Sequence, residues 1–530
     1  MRLALALIPL LFLALVAVAP VSRLLAEGWG TGEFGFWAFW ALWADDYLRG
    51  RVLWSLAQAG ITSVAALLVG VPLAWVLARI DFMGRGLVLR ALMLPFVVPT
   101  LVAAMGVLAL AGPRGVLGVL GIDGSGTPWL LLYGNLFFNL CLVVRAGVDA
   151  FEHVSATRVA AARTLGASPW RVFLRVEWPE ARPWLASAAC LVFLYCLSGF
   201  GLALVLGGQR WATAEVEIYT LVAHELALGQ ASVLAVWMLL LNGAVALAYA
   251  LIEQRLAAPA RVAPIARRAV ASRGDRLAVA GLHAALFALA GAPLLALLVR
   301  TAPALLDGAA WAVLREPATL QALFNTLRFS AMALALALVL GVAHALSAQG
   351  LLRLGLAWRA AAFLPFVVSP VTVAFGLLLL YPAFTASLPL LVAAYALIAY
   401  PFIARALAAA LDALSPSLMQ AAATLGASPA RVAWRVTLPL VAPALRRGTA
   451  FAAATMLGEF AVSLFLSRPE WLTLTTLIHQ RLGRPGETNL QAALVLALLL
   501  LALALAAFVL IEGGARRRTP ALGPADARTA

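Results

Sequence analysis

The residues best suited to a specific interaction lie in a polar stretch that occurs twice in a very apolar chain. The first copy spans residues 160–179 and the second spans residues 420–439, and both contain the run Thr-Leu-Gly-Ala-Ser-Pro. Each copy carries two arginines four positions apart, which places both guanidinium groups on one face of a helix. The pattern therefore predicts a segment that docks onto a partner surface.

Each copy is predicted to form a helix, a break and a second helix. Two alanines favour the first helix, a glycine suits its C-terminal cap, and a serine followed by a proline suits the start of the next helix. The second helix carries the arginine pair, and a final proline is expected to end it. So short a helix is not stable alone and needs a partner surface. The residues that fill these roles are Ala161, Ala162, Gly166, Ser168, Pro169, Arg171, Arg175 and Pro179, and then Ala421, Ala422, Gly426, Ser428, Pro429, Arg431, Arg435 and Pro439.

The spacing resembles the signature loop of ABC importer permeases, which reads Glu-Ala-Ala, three residues, Gly, nine residues and Ile-x-Leu-Pro. The matching positions are Ala161, Ala162, Gly166, Val176 and Pro179, and Ala421, Ala422, Gly426, Val436, Leu438 and Pro439. The resemblance implies that each copy forms a coupling helix that docks into a groove on a cytoplasmic ATPase. Ala160 and Gln420 replace the family's Glu, so the resemblance does not imply a salt bridge to the ATPase at these two positions. The alternative is an ordinary cytoplasmic loop that resembles the signature by chance. The presence of two copies at matching places in the two halves disfavours this alternative.

The composition predicts an all-α polytopic membrane protein. Of 530 residues 64% are hydrophobic and 12% are charged, and the mean hydropathy is +0.98. This is far from the composition of a soluble domain. The net charge of +15 does not indicate nucleic-acid binding, because the arginines cluster in short loops between apolar spans.

No lysine occurs in the chain, so all 38 basic residues are arginine. A phosphate-binding loop with its lysine is therefore absent, and so is a Schiff-base lysine. The five histidines, His153, His224, His283, His344 and His479, lack metal-ligand spacing, and the three cysteines lie in apolar stretches. We expect no enzyme activity and no bound metal or cofactor. If ATP drives the protein, another subunit hydrolyses it.

Hydropathy predicts about twelve transmembrane helices in two parallel repeats, an arrangement that the resemblance identifies with type I ABC importer permeases. The predicted spans are residues 3–21, 52–78, 87–111, 129–146, 184–207, 231–252, 278–299, 325–349, 359–384, 387–404, 447–466 and 490–511. The predicted domains are a first span and periplasmic segment (1–51), half 1 (52–252) with coupling loop 147–183, an Arg-rich cytoplasmic linker (253–277), a span and periplasmic segment (278–324), half 2 (325–512) with coupling loop 406–446, and a cytoplasmic tail (513–530).

The arginine distribution places both termini in the cytoplasm of a bacterium, with the chain in the inner membrane. The first span is expected to remain uncleaved, although Ala17-Val18-Ala19 also suits a signal-peptide cleavage site. The halves also share Leu94-Pro-Phe-Val-Val-Pro99 and Leu364-Pro-Phe-Val-Val-Ser-Pro370. Their prolines predict broken helices, which serve either as a hinge near the transport path or as a static kink.

Glu459 is a candidate for the translocation path, together with Phe460 and Phe200. An ionisable group within a span is costly and often marks a path. The alternative is a structural carboxylate that is hydrogen-bonded near the end of the span. The first half reads Leu197-Ser-Gly-Phe-Gly201 at the matching place and has no carboxylate, so the halves are not interchangeable there.

Within the permease family, the chain resembles the fused permeases for thiamine and thiamine pyrophosphate. The stretches concerned are Asn135-Leu-Phe-Phe-Asn-Leu140, residues 206–219 and Gly458-Glu-Phe460. The resemblance implies import of thiamine or its phosphates with two copies of an ABC ATPase and a periplasmic binding protein. Residues 207–219 could receive the binding protein or gate the path, and a solvated loop is the alternative. Fused ferric-iron permeases are the alternative within the family. A secondary transporter driven by an ion gradient is the alternative from another class.

Overall fold

The computed structural model describes residues 2–30, 37–256, 265–348, 358, 361–384, 387–466 and 468–513. These residues are helical apart from two short strands, β1 (Ile80–Asp81) and β2 (Arg268–Ala269), which pair in parallel. The pairing joins a loop of the first half to the linker between the halves. The predicted tail from residue 514 onwards and linker residues 257–264 lie outside the described residues.

The helices of the first half are numbered in chain order. They are α1 (Arg2–Leu13), α2 (Ala19–Gly30), α3 (Ala38–Ala41), α4 (Asp46–Arg79), α5 (Arg85–Ala91), α6 (Leu94–Val97), α7 (Thr100–Ala111), α8 (Pro128–Glu152), α9 (Ala156–Thr164), α10 (Pro169–Val172), α11 (Trp178–Leu197), α12 (Ala214–Ala223) and α13 (Leu228–Leu256). Wider π turns join some of them, at Ala14–Val18, Phe173–Glu177 and Ala203–Gly207, and Val116–Leu120 is a 3-10 turn.

The second half repeats much of this order. Its helices are α14 (Arg273–Leu286), α15 (Ala292–Leu306), α16 (Ala309–Arg315), α17 (Pro317–Ala348), α18 (Leu364–Val367), α19 (Pro370–Leu380), α20 (Leu388–Asp412), α21 (Pro416–Thr424), α22 (Pro429–Val432), α23 (Leu438–Leu457), α24 (Ala461–Leu466), α25 (Leu474–Leu482) and α26 (Glu487–Gly513). π turns occur at Phe287–Gly291 and Ala433–Thr437, and 3-10 turns at Pro382–Phe384 and Pro469–Trp471.

Ten helical stretches among the described residues are long and apolar enough to cross a membrane. They are Leu5–Gly30, Asp46–Arg79, Thr100–Leu120, Pro128–Glu152, Pro169–Leu197, Leu228–Glu253, Arg273–Leu306, Pro317–Ala348, Leu388–Asp412 and Glu487–Glu512. The two remaining predicted spans fall on shorter or more polar helices. Residues 359–384 include α19, which has 11 residues, and residues 447–466 follow Arg446 in α23. The all-helical membrane architecture is confirmed, with ten rather than twelve such stretches.

The helices at the start of each half pack against the opposite half. α1 and α2 contact α17 and α19 of the second half, and α15 contacts α7 of the first half. Glycines allow both crossings: a Cβ atom on Gly106 would lie 2.9 Å from the carbonyl oxygen of Pro293, and one on Gly376 would lie 2.8 Å from the Cβ of Pro20. The two crossings repeat each other, as expected for a parallel repeat.

Several predicted boundaries are wrong. Pro179 and Pro439 were expected to end helices, yet α11 and α23 continue past them. A π turn precedes each proline, so the N–H of Trp178 bonds to the carbonyl of Phe173 and the N–H of Leu438 bonds to that of Ala433. Each proline then lies in the first turn of the following helix, where its missing N–H leaves no bond unmade.

Other differences concern the length of the spans. The first span, predicted to end at residue 21, is longer, because α2 continues to Gly30. The span predicted at 184–207 is interrupted after Leu197, and helix resumes only beyond Phe200. Helices α8 and α20 run past the predicted starts of the coupling loops to Glu152 and Asp412. Hydropathy marks the apolar part of a helix and not its polar extension.

Candidate functional site

The two polar stretches fold into the same helix-break-helix. Gly166 has φ +79° and Gly426 has φ +80°, a left-handed conformation that only glycine adopts without strain. The N–H of Ala167 reaches back to the carbonyl of Ala162 at 3.0 Å, and Ala427 bonds in the same way to Ala422 at 3.1 Å. This is the hydrogen-bond pattern of a glycine-terminated helix. The predicted break is confirmed in both copies.

The second helix of each copy begins at the predicted serine and proline. The backbone N–H of Arg171 donates to Ser168 Oγ at 3.4 Å, and that of Arg431 donates to Ser428 Oγ at the same distance. α10 and α22 then start at Pro169 and Pro429. The serine caps satisfy a backbone donor that the first helical turn leaves free.

Most of the predicted docking residues are exposed at this end of the molecule. The exposed ones are Ala161, Gly166, Ser168, Pro169, Arg171, Arg175, Ala421, Gly426, Ser428, Arg431, Arg435 and Pro439. Ala162, Ala422 and Pro179 are partly buried. Leu165 and Leu425, which precede the two glycines, are both 88% exposed. Each segment thus presents arginines beside an exposed leucine, a mixture typical of a docking surface.

The first segment is anchored to its half by buried charge, and no such ion pair anchors the second among the residues that the structure describes. Glu177 accepts hydrogen bonds from Arg79 Nη2 and from Trp75 Nε1, both at 3.1 Å, and both members of the ion pair are buried. Thr437 occupies the position of Glu177 in the second copy. Glu180 pairs with Arg158 at 2.8 Å, and Leu440 stands in its place.

One continuous helix connects each segment to the interface between the halves. α11 and α23 have 20 residues each, a length of about 30 Å. They end in closely similar turns, since Ser198 has φ −90° and ψ 3° and Gly458 has φ −93° and ψ 2°. Phe200 and Phe460 follow these turns. Each helix therefore joins one of the exposed segments to one of these rings.

Four rings form a row across the interface. Phe200 and Phe460 stack with ring centroids 5.8 Å apart and an interplanar angle of 29°. Tyr219 packs edge-on against Phe200 at 5.6 Å, and His479 packs against Phe460 at 5.3 Å. The two phenylalanines were predicted from the sequence, whereas their outer partners were not. Tyr219 and His479 could have been found, because they occupy equivalent positions in the two halves.

A cavity of about 220 Å³ lies beside this row, between the halves. Phe96, Phe138 and Tyr195 line it from the first half, and Phe366 and Phe402 line it from the second. The helix breaks predicted from the repeated prolines occur here: the backbone is extended at Val98 and at Val368. The broken helices therefore lie along the wall of the cavity.

Glu459 has features of both alternatives considered from the sequence, which are a group near the translocation path and a structural carboxylate. Its side chain is 9% exposed and lines the cavity, while its Oε1 accepts a hydrogen bond from the N–H of Val462 at 3.0 Å. Its carbonyl oxygen accepts from Ser463 Oγ at 3.1 Å and from Thr475 Oγ1 at 3.0 Å. The carboxylate is thus fixed in the wall of the interface cavity.

A second cavity, of about 480 Å³, leads from there toward the second docking segment. Phe402 lines both cavities. Glu253, Arg405 and Asp412 line the second one, and Asp412 is the last residue of α20. We call this space the polar cavity, because acidic and basic side chains line it.

Residues 207–219 are tied to the start of α4. Arg51 Nε lies 3.2 Å from Glu217 Oε2, and Tyr47 Oη donates to the same oxygen at 2.9 Å. Trp54 Nε1 donates to the carbonyl of Trp211 at 2.9 Å. Burial raises the pKa of Glu217, while the hydrogen bond from Tyr47 and the charge of Arg51 oppose that rise. This segment is held in one position within its half.

The described residues contain no group of three or more His, Cys, Asp or Glu side chains that could hold a metal ion. Cys141, Cys190 and Cys196 are free thiols, and two of them are buried. The arrangement accordingly provides two exposed helix-break-helix segments, two connecting helices and an aromatic cavity.

The two halves match the same protein family. The family described as binding-protein-dependent transport system inner membrane component matches residues 70–258 and 333–519. Each matched range contains one docking segment and one of the stacked phenylalanines. The chain belongs to this family of ABC importer permeases. It is accordingly a multi-pass inner membrane protein and a non-catalytic transport subunit, whose system includes an ATPase and a binding protein.

The similar proteins include fused and shorter permeases. The thiamine transport system permease protein of Escherichia coli is 28% identical over 519 residues, which cover 94% of each chain. That of Brucella abortus is 34% identical over 219 residues, 39% of this chain and 40% of its own. The molybdenum transport system permease protein of Azotobacter vinelandii is 35% identical over 173 residues, 31% of this chain and 76% of its own. Similarity to the thiamine permeases thus extends over both halves.

Proposed function

We propose that this permease carries thiamine, as such or phosphorylated, into the cytoplasm. The observation that supports this most is the match to the E. coli thiamine permease protein over 94% of both chains. The molybdenum permease protein matches only 31% of this chain, as expected of a relative whose similarity is limited to one half. An aromatic cavity also suits an organic ring compound better than an oxyanion.

Two copies of the ATPase dock on the segments around Gly166 and Gly426. The repeated helix-break-helix and the exposed Leu165 and Leu425 support this assignment, because a pair of identical subunits requires two similar surfaces. Arg171, Arg175, Arg431 and Arg435 contact the ATPase surface. A periplasmic binding protein delivers the substrate on the opposite side.

Transport proceeds by rocking of the two halves about the interface. When the ATPases close on ATP, they move both docking segments, and α11 and α23 transmit this movement to Phe200 and Phe460. Opening of the stacked pair connects the interface cavity to the outer side, and displacement of Phe402 connects it to the polar cavity on the inner side. The substrate thereby crosses without a continuous pore.

Both termini lie in the cytoplasm, and the membrane is crossed twelve times. The ten long apolar stretches supply most of these crossings. The broken pair α18 and α19 and the pair α23 and α24 supply the others, since their counterparts in the first half, around Thr100–Leu120 and Pro169–Leu197, are long enough to span. Bends and breaks are tolerated there because neighbouring helices enclose them.

Growth on limiting thiamine tests the proposed function. The host is a bacterial strain that cannot synthesise thiamine and lacks its own importer. The permease, with its ATPase and binding protein, restores growth, and an ATPase whose phosphate-binding lysine is replaced does not. Failure to restore growth, with the permease present in the membrane and a related thiamine permease active in the same strain, contradicts the proposal.

A further inference from the structure

The interface cavity combines aromatic walls with one acidic group. Rings of Phe96 and Phe200 line it from the first half, and those of Phe366, Phe402 and Phe460 line it from the second. Glu459 is its acidic group, and neither arginine nor histidine lines it among the described residues. Aromatic faces and a carboxylate both attract cations. The cavity therefore favours a positively charged organic molecule over an anion.

The carboxylate of Glu459 is not needed to build the turn in which it lies. The first half forms a turn with almost the same dihedral angles and has Gly199 at this position. Placing a carboxylate at the membrane interior is costly. The second half thus carries a charge that the shared fold does not require.

Three hydrogen bonds orient Glu459, and one of them is made by its carboxylate. Two hydroxyl groups, from Ser463 and Thr475, fix the carbonyl of Glu459, and the N–H of Val462 fixes one carboxylate oxygen. A ligand that approaches the cavity therefore meets a negative group that is already oriented. Such preorganisation lowers the cost of binding.

The first half contributes a free acceptor to the same cavity. Asn139 lines the cavity, and its Oδ1 is buried with no hydrogen-bond partner among the described residues. Its Nδ2 donates to the carbonyl of Asn135 at 2.9 Å, which determines how the amide is turned. Asn135 is in turn held by Gln58 Oε1 at 2.8 Å. A buried acceptor without a partner is rare in a folded protein and indicates a missing donor.

We propose that this cavity is a transit binding site for a planar aromatic cation that carries a hydrogen-bond donor. The aromatic side chains contact the ring system, Glu459 faces the positive charge, and Asn139 accepts from the donor. This deepens the proposed function and rests on it, since thiamine combines a cationic thiazolium ring with an aminopyrimidine. The volume of about 220 Å³ limits the site to one small ligand, because pockets for drug-sized ligands span about 300–1,000 Å³.

Equilibrium binding to the permease–ATPase complex in lipid nanodiscs tests this site without the binding protein. The probes are labelled thiamine and thiochrome, a neutral planar oxidation product of thiamine. Glu459→Gln removes the charge and keeps an oxygen that can accept from Val462, so the turn is preserved. Phe460→Leu removes a ring and keeps an apolar side chain. Glu470→Gln is the matched control, because Glu470 is exposed outside the cavity.

The proposal predicts a different pattern for each variant. Glu459→Gln weakens thiamine binding about tenfold and leaves thiochrome binding unchanged, since only thiamine loses an ionic partner. Phe460→Leu weakens both ligands, by about 3- to 30-fold for thiamine. Glu470→Gln binds both ligands as the unchanged protein does.

Two results overturn the site and leave the proposed function standing: the complex transports thiamine but shows no saturable binding, or Glu459→Gln binds thiamine as tightly as the unchanged protein. If the complex with its binding protein does not transport thiamine, the proposed function fails and this inference fails with it. Uptake by the same preparation in proteoliposomes distinguishes these cases.

Discussion

Phe200 and Phe460 stack across the interface of the two halves, with ring centroids 5.8 Å apart. They occupy equivalent positions in the repeat, and each follows a helix that begins next to a docking segment. The contact is thus the meeting point of the two helices that we expect to move during transport.

A disulfide across this interface should stop transport. An added Cβ on Gly458 would lie 2.7 Å from the Cβ of Pro99, whereas disulfide-linked Cβ atoms lie about 3.8 Å apart, so a small shift suffices. In a chain with Cys141, Cys190 and Cys196 replaced by alanine, the pair Pro99→Cys and Gly458→Cys is expected to block thiamine uptake after oxidation. Reduction should restore it.

The two single-cysteine variants are the controls, and their uptake should not respond to oxidation. Uptake that continues at the same rate in the fully oxidised pair would show that the halves do not separate at Gly458.

The left-handed glycines of the docking segments cannot be replaced by proline. Proline fixes φ near −65°, and it removes the N–H through which Gly166 bonds to Arg163. Gly166→Pro or Gly426→Pro should leave membrane insertion intact and abolish ATP-dependent uptake. Gly84→Pro is the control, because Gly84 also has a positive φ but lies in another loop. Normal uptake by either docking-segment variant would contradict the coupling assignment.

The local geometry of the docking segments could be predicted from the sequence, whereas the passage of the helix through Pro179 could not. Glycine, serine and proline impose their conformations on the residues beside them, so Gly166 and Ser168 act as predicted. The π turn before Pro179 depends on how α11 packs in the folded chain. A rule that proline ends a helix takes no account of a shifted hydrogen-bond register.

The interface was only partly predictable for a similar reason. Repetition and polarity pointed to Phe200, Phe460 and Glu459. The unpartnered oxygen of Asn139 and the crossing of Gly376 over Pro20 depend on contacts between distant parts of the chain. Local patterns carry no information on such contacts, although comparing the two halves position by position would have revealed His479 as the counterpart of Tyr219.

Loss of the Glu177 charge should lower the stability of the fold where the first docking segment is anchored. Glu177→Gln leaves Arg79 buried without its counter-ion, which is expected to cost about 3–5 kcal/mol of stability. The measurement is the unfolding temperature of the purified permease. Glu180→Gln is the control: its partner Arg158 is exposed, so the loss should stay below about 1 kcal/mol. Equal effects of the two substitutions would argue against the anchoring role of Glu177.

A larger side chain at the helix crossing should destabilise the fold. Gly376→Val places methyl groups against Pro20, and such overpacking costs about 1–3 kcal/mol. The expected result is a lower unfolding temperature in detergent. Gly281→Val is a suitable control, since Gly281 is also helical and a Cβ there meets no atom within 4 Å. If both variants unfold alike, α2 does not pack on α19 as described.

The most direct test of the account is uptake of labelled thiamine by proteoliposomes that contain the permease, its ATPase and its binding protein. We expect accumulation that requires ATP and that ferric iron and molybdate do not inhibit. ATP-dependent uptake of iron or molybdate without thiamine uptake would retain the family and contradict the substrate. Thiamine uptake that ignores ATP and follows an ion gradient would contradict the mechanism itself.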